Sequence, residues 1–149
     1  MKKYFNFLMM ALVVILTCVS LSSCSDDDED PNDGWGDYYF QLYSVQTNLV
    51  DEDGNNLAIS IKDEWKDQTG ADSEYRTTIG HCNKNTAKEW FDKTIQAYID
   101  AYTEAYCGKL VKDAVIYYNF SLGDYDGAFG TVSANATIKV TNDNVTIGH

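Results

Sequence analysis

One proline, two histidines and four cysteines in 149 residues leave little material for several kinds of protein. A zinc site wants short-spaced ligand pairs such as C-x-x-C, and the chain contains none. Basic residues are also scarce: 11 Lys and Arg stand against 23 Asp and Glu, a formal net charge of -12. Phosphate binding depends on clustered cations, so nucleic acid is excluded as a partner. There is no G-X-Y period, no heptad run and no repeat of roughly 20 to 50 residues, which removes fibrous and solenoid architectures. What is left fits one modest domain, since chains use roughly 100 to 200 residues per domain.

The start of the chain is unlike the rest. Lys2 and Lys3 form the basic head of an apolar run from Phe5 to Val19, broken only by Asn6 and Thr17. That run is shorter than the roughly 20 apolar residues a permanent membrane helix needs, so it is expected to be an export signal. Leu21-Ser22-Ser23-Cys24 follows: a branched apolar residue, two small residues and a cysteine. This resembles the lipobox of bacterial lipoproteins. The resemblance implies removal of residues 1–23 and acylation of Cys24, which would anchor the chain in a membrane through its acyl chains.

Ser25 and the acids Asp26, Asp27, Asp28, Glu29 and Asp30 come next, then Pro31-Asn32-Asp33-Gly34. Like charges at this density resist collapse, so residues 24–34 read as an acidic tether. A serine and an acidic run directly behind the cysteine also resemble the surface-export signal of Bacteroidota lipoproteins. That resemblance implies an outer-membrane lipoprotein facing outward, and it covers only about the first 30 residues.

From Trp35 to 149 the chain reads as a single α+β domain. Asp37 to Val50 is rich in aromatic and β-branched residues, with Tyr39, Gln41, Tyr43, Val45, Thr47 and Leu49 on one parity, which predicts a strand. Asp51 to Asn56 is a turn, and Leu57 to Ile61 alternates as a second strand. Lys62 to Glu74 is polar and reads as a loop around Trp65, before a short strand from Tyr75 to Ile79. The strongest periodicity follows. Trp90, Phe91, Ile95, Tyr98, Ile99, Tyr102 and Tyr106 recur at three and four residues, which predicts a helix over 86–107 with a capping box at Thr86 and Glu89 and a glycine stop at Gly108. Three more strands are expected, at Val111 to Leu122, Phe129 to Thr141 and Val145 to Ile147. The expected fold is an antiparallel sheet of about five strands packed by one long amphipathic helix. Cystatin-like folds share that general plan, a likeness that carries no function.

Chemistry is sparse. With Cys18 in the leader and Cys24 acylated, Cys82 and Cys107 remain. A continuous helix places Cys107 about 32 Å from Thr86. The four residues back to Cys82 reach at most about 14 Å, so a disulfide is not expected. His81 and Cys82 are neighbours whose side chains should diverge on an extended chain, which disfavours a thiol-imidazole pair. Neither acidic turn has the ligand spacing of an EF-hand, and no two carboxylates stand out as a hydrolytic pair. The sequence therefore predicts no cofactor, no metal and no enzymatic activity. Its remaining signal is aromatic: Trp35, Tyr38 and Tyr39 beside the tether, with Trp65 and Tyr75 in or beside the long loop, form a candidate platform for a glycan or protein ligand. The expected role is a non-catalytic binding module, or else an accessory subunit of an envelope assembly.

Overall fold

The structure, a computed structural model, describes residues 35–125 and 131–148. Its elements in order are β1 (Trp35–Thr47), α1 (Ala58–Thr69), β2 (Arg76–Asn83), α2 (Lys84–Tyr106), β3 (Val115–Asp124), β4 (Thr131–Thr141) and β5 (Val145–Gly148). The five strands form one antiparallel sheet in the order β2-β1-β3-β4-β5, so the α+β plan holds. The leader, the tether and Cys24 lie outside the described residues.

The long helix begins slightly before its expected start. Asn83, the last residue of β2, caps it by accepting the Asn85 N–H at 2.8 Å, which leaves Thr86 and Glu89 inside the helix rather than at its boundary. At the other end Gly108 takes φ +77°, and its N–H donates to the Asn142 carbonyl at 2.7 Å. A left-handed residue there ends the helix and ties it to the β4–β5 turn.

The expected strand at Leu57 to Ile61 and the loop after it are instead α1. Short alternating apolar runs suit either element, and the choice rests on what the chain does next. Leu57, Ile61 and Trp65 are four residues apart, and as a helix they share one buried face. Ile59, which a strand would place beside them, is 73% exposed on the opposite side. Gly70, at φ +71°, closes the helix with its N–H on the Lys66 carbonyl. The strand expected from Val111 starts only at Val115, because residues 111–114 form a turn with the Ala114 N–H on the Val111 carbonyl at 3.0 Å.

Both helices lie on one side of the sheet. Tyr38, Phe40, Leu42 and Val45 of β1, Ile116, Tyr118, Phe120 and Leu122 of β3, and Ala136, Ile138 and Val140 of β4 face them. On β3 and β4 this agrees with the alternation in sequence. On β1 the parity changes midway, because the register shifts between Leu42 and Ser44 and Tyr43 becomes the extra residue of a bulge. The core is aromatic: the Phe40 ring lies 4.9 Å from Phe120, 5.6 Å from Phe91 and 6.0 Å from Tyr98.

Candidate binding face

With both helices on one side, the other face of the sheet carries no further element among the described residues, and it is polar, although Tyr39, Asn119 and Ser121 on it are themselves buried. Going down β1, the residues that point away from the helices are Trp35, Asp37, Tyr39, Gln41 and, past the bulge, Ser44. Opposite them stand His81 and Arg76 of β2 and Ser121 and Asn119 of β3, with Thr137 of β4 beyond Asn119. At about 3.3 Å per residue, the nine steps from Trp35 to Ser44 make a strip about 30 Å long.

At its head the Trp35 ring lies 5.6 Å from that of His81, and His81 Nδ1 is 3.1 Å from the Asp37 carboxylate. The Trp35 indole N–H has no hydrogen-bond partner among the described residues. Next comes an aromatic pair, Tyr39 and Tyr125, with ring centres 4.6 Å apart. The Arg76 guanidinium sits 5.4 Å from the first ring and 5.2 Å from the second. Its charge is already matched, by Asp72 at 3.1 Å and Glu74 at 2.9 Å. Burial pushes the Asp72 carboxyl up, but the backbone N–H groups of Arg76 and Glu74 and the Arg76 side chain outweigh it and hold the carboxyl below its ordinary value. The Tyr39 ring packs directly against Gly123: a Cβ at position 123 would come within 2.2 Å of it.

The lower strip is a ladder of amides and hydroxyls. Thr137 donates to the Asn119 side-chain oxygen at 2.7 Å, and the Asn119 amide donates to Ser44 at 2.9 Å, linking three strands. Gln41 reaches Ser121 at 3.4 Å on one side and donates to the Glu74 carbonyl at 2.9 Å on the other. Such cross-strand pairs hold the side chains in fixed positions before any ligand arrives.

The five aromatics expected from sequence therefore separate. Trp35, half-buried, and Tyr39, only 7% exposed beside Tyr125 and Arg76, lie on the strip side of the sheet. Tyr38 and Trp65 are core residues, Trp65 only 1% exposed, and neither offers a ring to a ligand. Alternation along β1 explains Tyr38, and the helical rather than looped state of residues 58–69 explains Trp65. Tyr75 is half-buried at the start of β2 with φ +61°. Its hydroxyl donates to Asp63, which together with partial burial raises its pKa, while Lys62 Nζ lies 4.0 Å from the ring centre. It fastens α1 to the sheet edge rather than joining the strip.

Sequence reading missed Arg76, Gln41, Asn119, Ser121, Tyr125 and Thr137. The signal for part of this set was available in β3, where Asn119 and Ser121 alternate with the apolar residues that were recognised. Cys82 is buried and Cys107 half-buried, neither in a disulfide, and His81 points away from Cys82 to solvent. Among the described residues no group of three or more His, Cys, Asp or Glu side chains is placed to hold a metal. Comparison with known proteins finds no matching family model, no matching curated protein and no matching solved structure.

Proposed function

We propose that this chain is a lipid-anchored binding module of the bacterial outer surface, non-catalytic, which holds a neutral glycan against the open face of its sheet. The observation that carries the reading is the strip itself: the Trp35 and Tyr125 rings toward one end and a prearranged ladder of amides and hydroxyls toward the other. Sugars offer apolar C–H faces and many hydroxyls, so a useful site combines rings with fixed donors and acceptors. Arg76 and His81 on the strip each face a carboxylate, which favours an uncharged ligand over an anionic one. The anchor rests on Leu21 to Cys24 and the acidic run behind it.

The test is retention of the full-length protein, purified in detergent, on an array of neutral and acidic glycans. Retention by neutral glycans that falls at least tenfold in Trp35→Ala and in Tyr125→Ala is the expected result. Retention unaffected by either substitution overturns the open-face reading. Anchoring is tested separately: Cys24→Ala should leave the membrane fraction, and if it partitions like the parent chain the lipoprotein reading fails.

A further inference from the structure

Strand β5 is shorter than the strand it pairs with. Val145 to Gly148 cover only Val140 to Thr137 of β4, in antiparallel register. From Val132 to Ala136 the inner side of β4 is paired with β3, but the outer side has no strand partner among the described residues. An uncovered strand edge is a template for another strand. Here the edge borders a cavity of about 410 Å³ between β4 and α2, lined by Ser133, Ala134 and Asn135 on the strand and by Lys88, Phe91 and Asp92 on the helix. Phe91 and Ala134 give it an apolar floor, and Lys88 and Asp92, one turn apart, give it a charged rim of both signs. Ser133 is the extra residue where the register shifts between Leu122 and Gly123. Bulges at sheet edges re-aim side chains in this way.

We propose that this notch is a strand-addition site for a partner protein. An extended segment of the partner pairs antiparallel with Val132 to Ala136, in line with β5, and seats one apolar side chain on Phe91 and Ala134 between Lys88 and Asp92. Two observations select an extended peptide as the occupant. The pairing continues an interface already present, because β5 occupies the same edge one step further along. The groove between a strand edge and a helix also supplies both parts of such recognition: main-chain hydrogen bonds for affinity and a pocket for alternate side chains. The Trp35 and Tyr39 end of the strip lies on β1, with β3 between it and β4, and Asp92 lies on α2 on the helix side of the sheet, so a substitution at Asp92 tests the notch separately from the strip.

The experiment pans a phage-displayed library of random dodecapeptides against the full-length protein in detergent. Enriched peptides are then followed by amide hydrogen exchange of the protein. The expected result is slowed exchange confined to residues 132–136 and the facing turn of α2. Affinity should fall at least tenfold in Asp92→Trp, which fills the notch from an exposed helix position, with the melting temperature unchanged. Methylation of alternate peptide nitrogens should abolish binding, which a contact made through side chains alone would survive. Absence of enriched peptides, protection elsewhere, or indifference to Asp92→Trp overturns the proposal. Two further outcomes also overturn it: peptide binding only after removal of residues 25–34 assigns the notch to the chain's own tether, and a concentration-dependent dimer abolished by Asp92→Trp assigns it to a second copy.

Discussion

The Trp65 indole N–H donates to the Tyr98 hydroxyl at 3.0 Å in the centre of the core, joining a residue of α1 to one of α2. Neither side chain touches solvent, so this bond satisfies a donor that would otherwise be buried without an acceptor. Tyr98→Phe removes the acceptor and leaves the indole unpaired, which should cost about 1 to 3 kcal/mol. Trp65→Ala should cost more, about 3 to 5 kcal/mol, because it also empties the space beside the stacked Phe40 and Phe120 rings. Urea unfolding of the two variants checks both values. A Trp65→Ala protein as stable as the parent would mean that α1 does not pack as described.

Four tyrosines, Tyr98, Tyr102, Tyr106 and Tyr118, are buried, and burial raises each phenol, Tyr106 to about 12 and the others well above the ordinary phenol range. A raised folded-state pKa means that the neutral phenol is what the fold holds. The stabilisation is complete below about pH 10, where unfolded tyrosine is also neutral, and is lost as pH climbs from there through the folded values. In an alkaline titration these four should ionise only together with loss of circular dichroism. A single smooth tyrosinate transition near pH 10 with the fold intact would contradict their burial.

Ile95 lies on the face of α2 against the sheet and is 2% exposed. Ile95→Asp buries a carboxylate without a partner, and the domain should fail to fold or lose more than about 4 kcal/mol. Ile95→Val serves as the control, with an expected cost of about 0.5 to 1.5 kcal/mol. The melting temperatures of the pair separate a charge effect from simple loss of volume.

Gly123 is required by its neighbour rather than by its own backbone angles. In Gly123→Ala the new methyl meets the Tyr39 ring, which must swing away from Tyr125. The expected cost is about 1 to 3 kcal/mol. Most of it should vanish when Tyr39→Ala is added, because the clash then has no second party. A double-mutant cycle measures this: additive effects would show that the two residues are not in contact.

The sequence by itself determined the elements whose period is long and uninterrupted. Helix α2 was legible because its apolar residues hold a spacing of three and four over 23 residues, and β3 because Ile116 to Leu122 alternate without exception. Residues 57–69 were not legible, since Leu57-Ala58-Ile59-Ser60-Ile61 satisfies both periods and only burial of Trp65 against Phe40 and Tyr98 makes the helical one pay. The candidate site divides in the same way. Composition marked Trp35 and Tyr39 as aromatics beside the tether, but it marked Tyr38 and Trp65 equally. Which rings face away from the helices was decided by the tertiary structure, through the parity of β1, its bulge after Leu42 and the placement of both helices on one face. The amide and hydroxyl ladder had no local signal, because Ser44, Asn119 and Thr137 lie on three strands and meet only when the sheet forms.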